Sequence, residues 1–121
     1  MERLVEKLEC DHLDRREEEY LGRHLTTGES YFLRDRSFVE MLRSHILPEL
    51  LTSPSLSIDG LRAWSAGCST GEEAYTLAVI MHEQVGQNAS LRTRILGTDI
   101  NADALDVARK GVYRTWSFRG T

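Results

Sequence analysis

The sequence predicts an α/β chain in which a helical amino-terminal segment leads into the first part of an open parallel sheet, with two strands legible. Leu61 to Tyr75, LRAWSAGCSTGEEAY, passes from a short apolar segment through a loop of small residues into an acidic helical turn. Thr93 to Thr98, TRILGT, is a second short apolar strand; it ends on Asp99 and leads into the helical pattern NADALDVARKG. Before Leu61, apolar residues recur at helical rather than strand spacing.

A length of 121 residues suits one domain, and 40% hydrophobic with 28% charged residues is an ordinary globular composition. A net charge of −4 argues against general binding of nucleic acid through phosphate neutralisation. No apolar run approaches the about eighteen residues of a membrane span, and no signal-peptide pattern opens the chain. Cys10 and Cys68 lie far apart without metal-ligand spacing, nor do His12, His24, His45 and His82 show any. A reducing cytoplasm and no metal are the expectations.

Taken in order, Met1 to Gly22 reads as a helix, with Leu4, Val5, Leu8 and Leu13 on its apolar stripe and Gly22 as its end. Glu17, Glu18 and Glu19 after Arg15 and Arg16 read as a solvated charge cluster, and Thr26-Thr27-Gly28-Glu29 as a polar bend. In Ser30 to Arg34, the apolar Tyr31, Phe32 and Leu33 hold the segment against the protein. Arg34 beside them can present a planar guanidinium to a carboxylate, or pair with Asp35 at the surface. Asp35 or Ser37 can cap a helix whose apolar face is Phe38, Met41, Leu42 and Ile46. Pro48 and Pro54 bracket the end of that helix. The expected organisation is a helical segment over 1–50, a serine-rich linker over 51–60 and an α/β part over 61–121. Trp64, in the first strand, is expected in the core.

The loop after that strand carries most of the chemistry. Gly67 and Gly71 let the backbone turn tightly and approach a ligand, while Ala66, Cys68 and Ser69 keep the loop narrow. There is no G-x-x-x-x-G-K-[ST] and no G-x-G-x-x-G. Glu72 and Glu73 stand instead at the positive helix end, where they repel a pyrophosphate and suit a cationic ligand such as an ammonium or sulfonium. Spacing does not choose between the two. Asp99, at the end of the second strand, is placed for a ribose diol, with Ile100 beside it, while Asn101 can cap the following helix and Gly111 close it. The plainer alternative is a tight βα turn whose acids complement the helix dipole.

WSAGCSTGEEAYTLA followed by GTDINADALDVARKGVY resembles the CheR-type S-adenosylmethionine-dependent methyltransferases, which esterify glutamate side chains on bacterial chemoreceptors. SYFLRDRSFVEML resembles that family's T-x-F-F-R segment, with Ser30 at the threonine and Leu33 at the second phenylalanine. The three blocks span Ser30 to Tyr113. The resemblance implies a Rossmann-like methyltransferase sheet, S-adenosylmethionine as cofactor with S-adenosylhomocysteine as product, and chemoreceptor cytoplasmic helices as partners. It puts Ser30 and Arg34 at the reacting groups and the cofactor. Ala66, Gly67, Gly71, Glu72 or Glu73, Asp99 and Ile100 fall in the cofactor site. It also implies further strands than the two present, so the chain reads as an amino-terminal portion: inactive alone, weak at most in binding cofactor, and prone to self-associate through unpaired sheet edges. The competing reading is a non-catalytic protein-binding module that keeps a methyltransferase-like fold.

Overall fold

The computed structural model describes residues 13–53, 60–86 and 91–121, together with Val5, Leu8 and Leu56. Helix α1 spans Arg15–Leu25. Asp14 caps it by accepting from the N–H groups of Arg16 and Glu17, and Glu17 returns a bond from the Asp14 N–H, a complete capping box. Val5 and Leu8 are helical and half-exposed, and the remainder of the expected Met1–Gly22 helix before Leu13 lies outside the described residues. Gly22 does not end α1. The helix continues to Leu25, and the missing side chain serves packing, since a Cβ there would lie 2.9 Å from the Ile100 carbonyl oxygen.

Asp35 caps α2, Arg36–Met41, which runs through a π-helical segment, Leu42–Ile46, into α3, Leu47–Leu51. The helix therefore passes Pro48 instead of ending there. The wider π turn, closed by Leu47 N–H on the Leu42 carbonyl, lies where a proline ring would otherwise crowd the carbonyl one turn back. Half of the expected linker falls outside the described residues. Leu56 packs against the core, and its carbonyl accepts the Gly60 N–H.

Strand β1, Leu61–Ala66, pairs in parallel with β2, Thr93–Thr98, in register from Leu61 opposite Thr93 to Ala66 opposite Thr98. Helix α4, Glu72–Val85, forms the crossover that two parallel strands require, and α5, Ala102–Lys110, follows β2. Leu61, Ala63 and Ile95 turn to the core side, where Val39, Leu42 and Leu47 of the helical segment meet Leu77, Ile80 and Met81 of α4. Both parts of the chain thus share one core. Burying each such aliphatic contributes about 1.5–3 kcal/mol.

The other sheet face is open. Trp64 is 67% exposed and Leu96, opposite it, 60%, so Trp64 is not in the core; its indole N–H donates to Thr98 Oγ1 at 3.0 Å. Strand alternation sends positions 61, 63 and 65 to α4 and position 64 to the face that no described element covers. No helix among the described residues is long and apolar enough to cross a membrane.

Candidate functional site

A cleft of about 680 Å³ opens where β1 and β2 end, walled by the β1–α4 loop, the turn after β2 and the Thr26–Arg34 segment. Its position outside the carboxyl ends of parallel strands is where open α/β sheets hold ligands. The loop is pinned to the second strand: the N–H groups of Gly67 and Cys68 both donate to the Thr98 carbonyl, at 2.8 and 2.9 Å. Asp99 braces it from below, taking the Ser69 N–H on Oδ2 at 2.7 Å and the Asn101 N–H on Oδ1 at 2.8 Å. Ser69 needs that support because its φ of +50° is left-handed without being a glycine. Two bonds leave lone pairs on each Asp99 oxygen for a ligand hydroxyl.

Asn101 caps α5 through the N–H groups of Asp103 and Ala104, so the cap and the strand-end acid are separate residues, as expected. Its amide donates to Thr26 Oγ1 at 3.0 Å and so joins the strand end to the front wall. That wall, Thr26 to Glu29, is legible in the sequence only as a polar bend. Its role comes from packing, and its sole sequence signal is that it precedes Ser30.

The cleft brings together Ser30, Arg34, Gly67, Glu73, Asp99 and Ile100. Ala66, Gly71 and Glu72 do not line it. Gly71 is buried at a φ of +97°, and a Cβ there would stand 2.8 Å from Ala108 Cβ and 2.9 Å from the Tyr113 hydroxyl, so it faces α5. Glu72 is 3% exposed and accepts from Thr70 Oγ1 at 2.6 Å and Ser117 Oγ at 2.9 Å. Glu73 is exposed on the cleft side, and the buried Ser65 hydroxyl donates to its Oε1 at 2.6 Å. Successive residues in the first turn of a helix diverge by about 100°. One acid therefore meets the ligand space and the other the carboxyl-terminal tail.

No sequence signal points to the role of that tail. The 3₁₀ turn Thr115–Phe118 folds back on the Ser30–Arg34 segment. Phe32 N–H donates to the Ser117 carbonyl at 2.8 Å, and the Phe32 ring stacks on Phe118 and meets the edge of Tyr113. Leu33, at a φ of +56°, is held by its N–H on Thr76 Oγ1. Arg34 extends Nη1 to the Glu29 carbonyl at 2.7 Å, and no carboxylate pairs with it among the described residues.

Burial first, then the Asp99 and Glu73 carboxylates, push the Cys68 thiol above its ordinary value of 9.0. A buried thiol of that kind is filler and not a nucleophile. Burial and the neighbouring Glu72 carboxylate push the Tyr113 phenol up to about 12 from 10.0, while its hydroxyl donates to the Thr70 carbonyl at 2.7 Å. The folded state then holds the phenolic proton more tightly than the unfolded chain. Stability from this group is complete below pH 10 and lost as pH rises to about 12. Titrating denaturant midpoints over that range should show a loss of about 2 kcal/mol that Tyr113→Phe removes, after allowance for solvent screening.

Residues 28–120 match the family described as CheR methyltransferase, SAM binding domain. The chain belongs to this family. A chemotaxis protein methyltransferase of Borreliella burgdorferi is 39% identical over 92 residues, 74% of this chain and 32% of that protein. Its counterpart in Listeria monocytogenes is 38% identical over 91 residues, 75% and 32%. Chemotaxis protein methyltransferase 2 of Pseudomonas aeruginosa is 36% identical over 104 residues, 84% and 35%. The chain thus spans about a third of the length of these curated relatives. A helical segment with a two-stranded parallel sheet is consistent with part of a Rossmann-like CheR methyltransferase domain.

The family's cofactor is S-adenosylmethionine, and the residues present fit it. The cleft has the size of a small-molecule site and sets two carboxylates, Glu73 and Asp99, against a ligand that carries cationic centres and a ribose diol. Gly67, at a φ of +72° with nothing within 4 Å of a Cβ position, leaves the wall flat.

Proposed function

We propose that this CheR-family chain carries the cofactor-binding part of a protein-glutamate O-methyltransferase acting on chemoreceptors. The carrying observation is the convergence on one cleft of Glu73, Asp99 and an Arg34 that no carboxylate pairs among the described residues. Asp99 would hold the ribose hydroxyls and Glu73 the amino-acid end of the cofactor, and Ile100 would supply an apolar contact beside them. Bound S-adenosylmethionine supplies an electrophilic methyl group on a sulfonium. The acceptor carboxylate needs no general base, because it is already ionised at neutral pH. What the protein contributes is alignment and exclusion of water, a task that falls to Arg34 and Ser30. Arg34 meets one carboxylate with two parallel N–H donors and so fixes its plane relative to the methyl group. The names of the relatives, chemotaxis protein methyltransferases, support the receptor as substrate.

Calorimetric titration of the chain with S-adenosylhomocysteine tests the reading. Saturable binding is expected. Glu73→Gln should weaken it roughly tenfold, the loss of one charged contact, and lower stability by no more than about 1 kcal/mol, because the amide oxygen can still accept the Ser65 hydroxyl. Glu72→Gln should do the reverse, leaving affinity near the parent value and lowering stability by about 1–2 kcal/mol through its bonds to Thr70 and Ser117. Label transfer from S-adenosylmethionine to glutamates of a receptor fragment, by a protein of the relatives' length carrying this segment, tests the substrate. Transfer to RNA or a metabolite instead would refute it.

A further inference from the structure

Beside the cleft runs a second, open groove of about 900 Å³, formed by the start of α2 and the last residues of the tail. It shares Tyr31, Arg34 and Asp35 with the cleft, so whatever lies in it ends at the cofactor space. Three guanidinium groups line it, those of Arg34, Arg36 and Arg119, against the Asp35 carboxylate and the Glu29 carboxylate paired to Arg119, so the positive charge that remains lies on Arg34 and Arg36. The chain as a whole is acidic, with 15 lysines and arginines to 19 aspartates and glutamates, so this local excess runs against the average.

The three arginines are differently committed. Arg119 is fixed, its guanidinium 3.9 Å from the Tyr31 ring centre and 4.3 Å from that of Trp116, with Nη2 on Glu29 Oε1 and Nη1 on the Trp116 carbonyl. Arg36 makes only a long contact of 3.4 Å to the Gly120 carbonyl. Neither Arg34 nor Arg36 has a carboxylate within ion-pairing distance among the described residues. Asp35 pairs with neither, because its Oδ1 accepts the Ser37 hydroxyl at 2.6 Å and the Phe38 N–H at 2.9 Å, although its charge still offsets part of theirs. Five N–H donors per guanidinium leave most of this donor set available to planar, bidentate acceptors.

Resting on the glutamate-methylation reading, we propose that this groove binds an acidic segment of the methyl-accepting protein. Arg34 takes the carboxylate that enters the cleft and Arg36 takes a carboxylate flanking it in the same segment, while Arg119, already paired with Glu29, forms the rigid floor between them. Selectivity then falls on glutamates with acidic neighbours. The attraction is screened by salt, because the groove is open to solvent.

The test measures binding of a fluorescent helical peptide with glutamates along one face to the 121-residue chain saturated with S-adenosylhomocysteine. Its all-glutamine analogue and a polyuridine strand serve as competitors. The glutamate peptide is expected to bind, more weakly as salt rises, and the glutamine peptide not at all. Arg36→Glu should weaken peptide binding roughly fivefold or more, and Arg36→Lys should restore most of it. Arg36 lies outside the cofactor cleft, and an acid at the first position of α2 suits the helix dipole, so fold and S-adenosylhomocysteine affinity should hold. Equal binding of the two peptides, or an Arg36→Glu variant that binds normally, overturns the groove while the cofactor reading stands. Polyuridine binding that is tighter and lost in Arg36→Glu would make the groove a nucleic-acid surface and also overturn the proposal. Failure of S-adenosylhomocysteine itself to bind the parent chain strikes at the cofactor reading instead, and peptide binding that persisted would then be reassigned to a docking surface without methyl transfer.

Discussion

Asp99→Ala is expected to weaken S-adenosylhomocysteine binding about a hundredfold in a calorimetric titration, the largest single loss in the cleft. Two effects add. The ligand loses a charged acceptor for its hydroxyls, a hydrogen bond of about 1.5–3 kcal/mol. The loop also loses its brace, since the Ser69 and Asn101 N–H groups both end on this carboxylate. Ser69, at a φ of +50°, would then relax toward commoner backbone angles and carry the cleft wall with it. Asp99→Asn separates the two effects, because an amide keeps one carbonyl oxygen for a backbone donor but offers its NH₂ to the other. An intermediate loss is expected. Full affinity in Asp99→Ala, with the far-ultraviolet dichroism of the parent, would remove Asp99 from the ligand's surroundings.

The two loop glycines should respond in opposite ways. Gly71→Ala is expected to destabilise the fold by about 3 kcal/mol in chemical denaturation. A positive φ costs about 1–2 kcal/mol outside glycine, and the new methyl would collide with Ala108 at 2.8 Å. Against a total stability of about 5–15 kcal/mol that is a severe loss. Gly67→Ala carries the strain without the collision, because nothing lies within 4 Å, so about 1 kcal/mol is expected there. Its methyl stands on the cleft wall, and S-adenosylhomocysteine affinity should fall by roughly tenfold. Loss of affinity with full stability in Gly71→Ala would reverse the roles of the two glycines.

Much of this molecule is legible in one dimension. Both strands, the acidic opening of α4, the Asn101 cap and the Gly111 closure of α5 follow from local rules, because each depends on neighbours within a turn or on strand alternation. The candidate residues that line the cleft, Gly67, Glu73, Asp99 and Ile100 with Ser30 and Arg34, sit where strand ends and the preceding segment must meet. Pro48 misleads because proline stops a regular α-helix, whereas a π turn ahead of it absorbs the missing bond. Trp64 misleads because a bulky residue in an apolar strand suggests core, and the side it faces depends on which elements cover the sheet.

The sequence alone determined the family, the βαβ order and the pool of chemically able residues, since these reside in residue type and spacing. Only the tertiary structure buried Glu72 against the tail and left Glu73 on the cleft, turned Gly71 toward α5, and laid the Thr115–Phe118 turn under the Ser30–Arg34 segment. The reason is physical. Local propensity sets what a residue can do, but whether a carboxylate meets water, a ligand or a buried serine depends on contacts made across 45 positions of chain, as between Glu72 and Ser117.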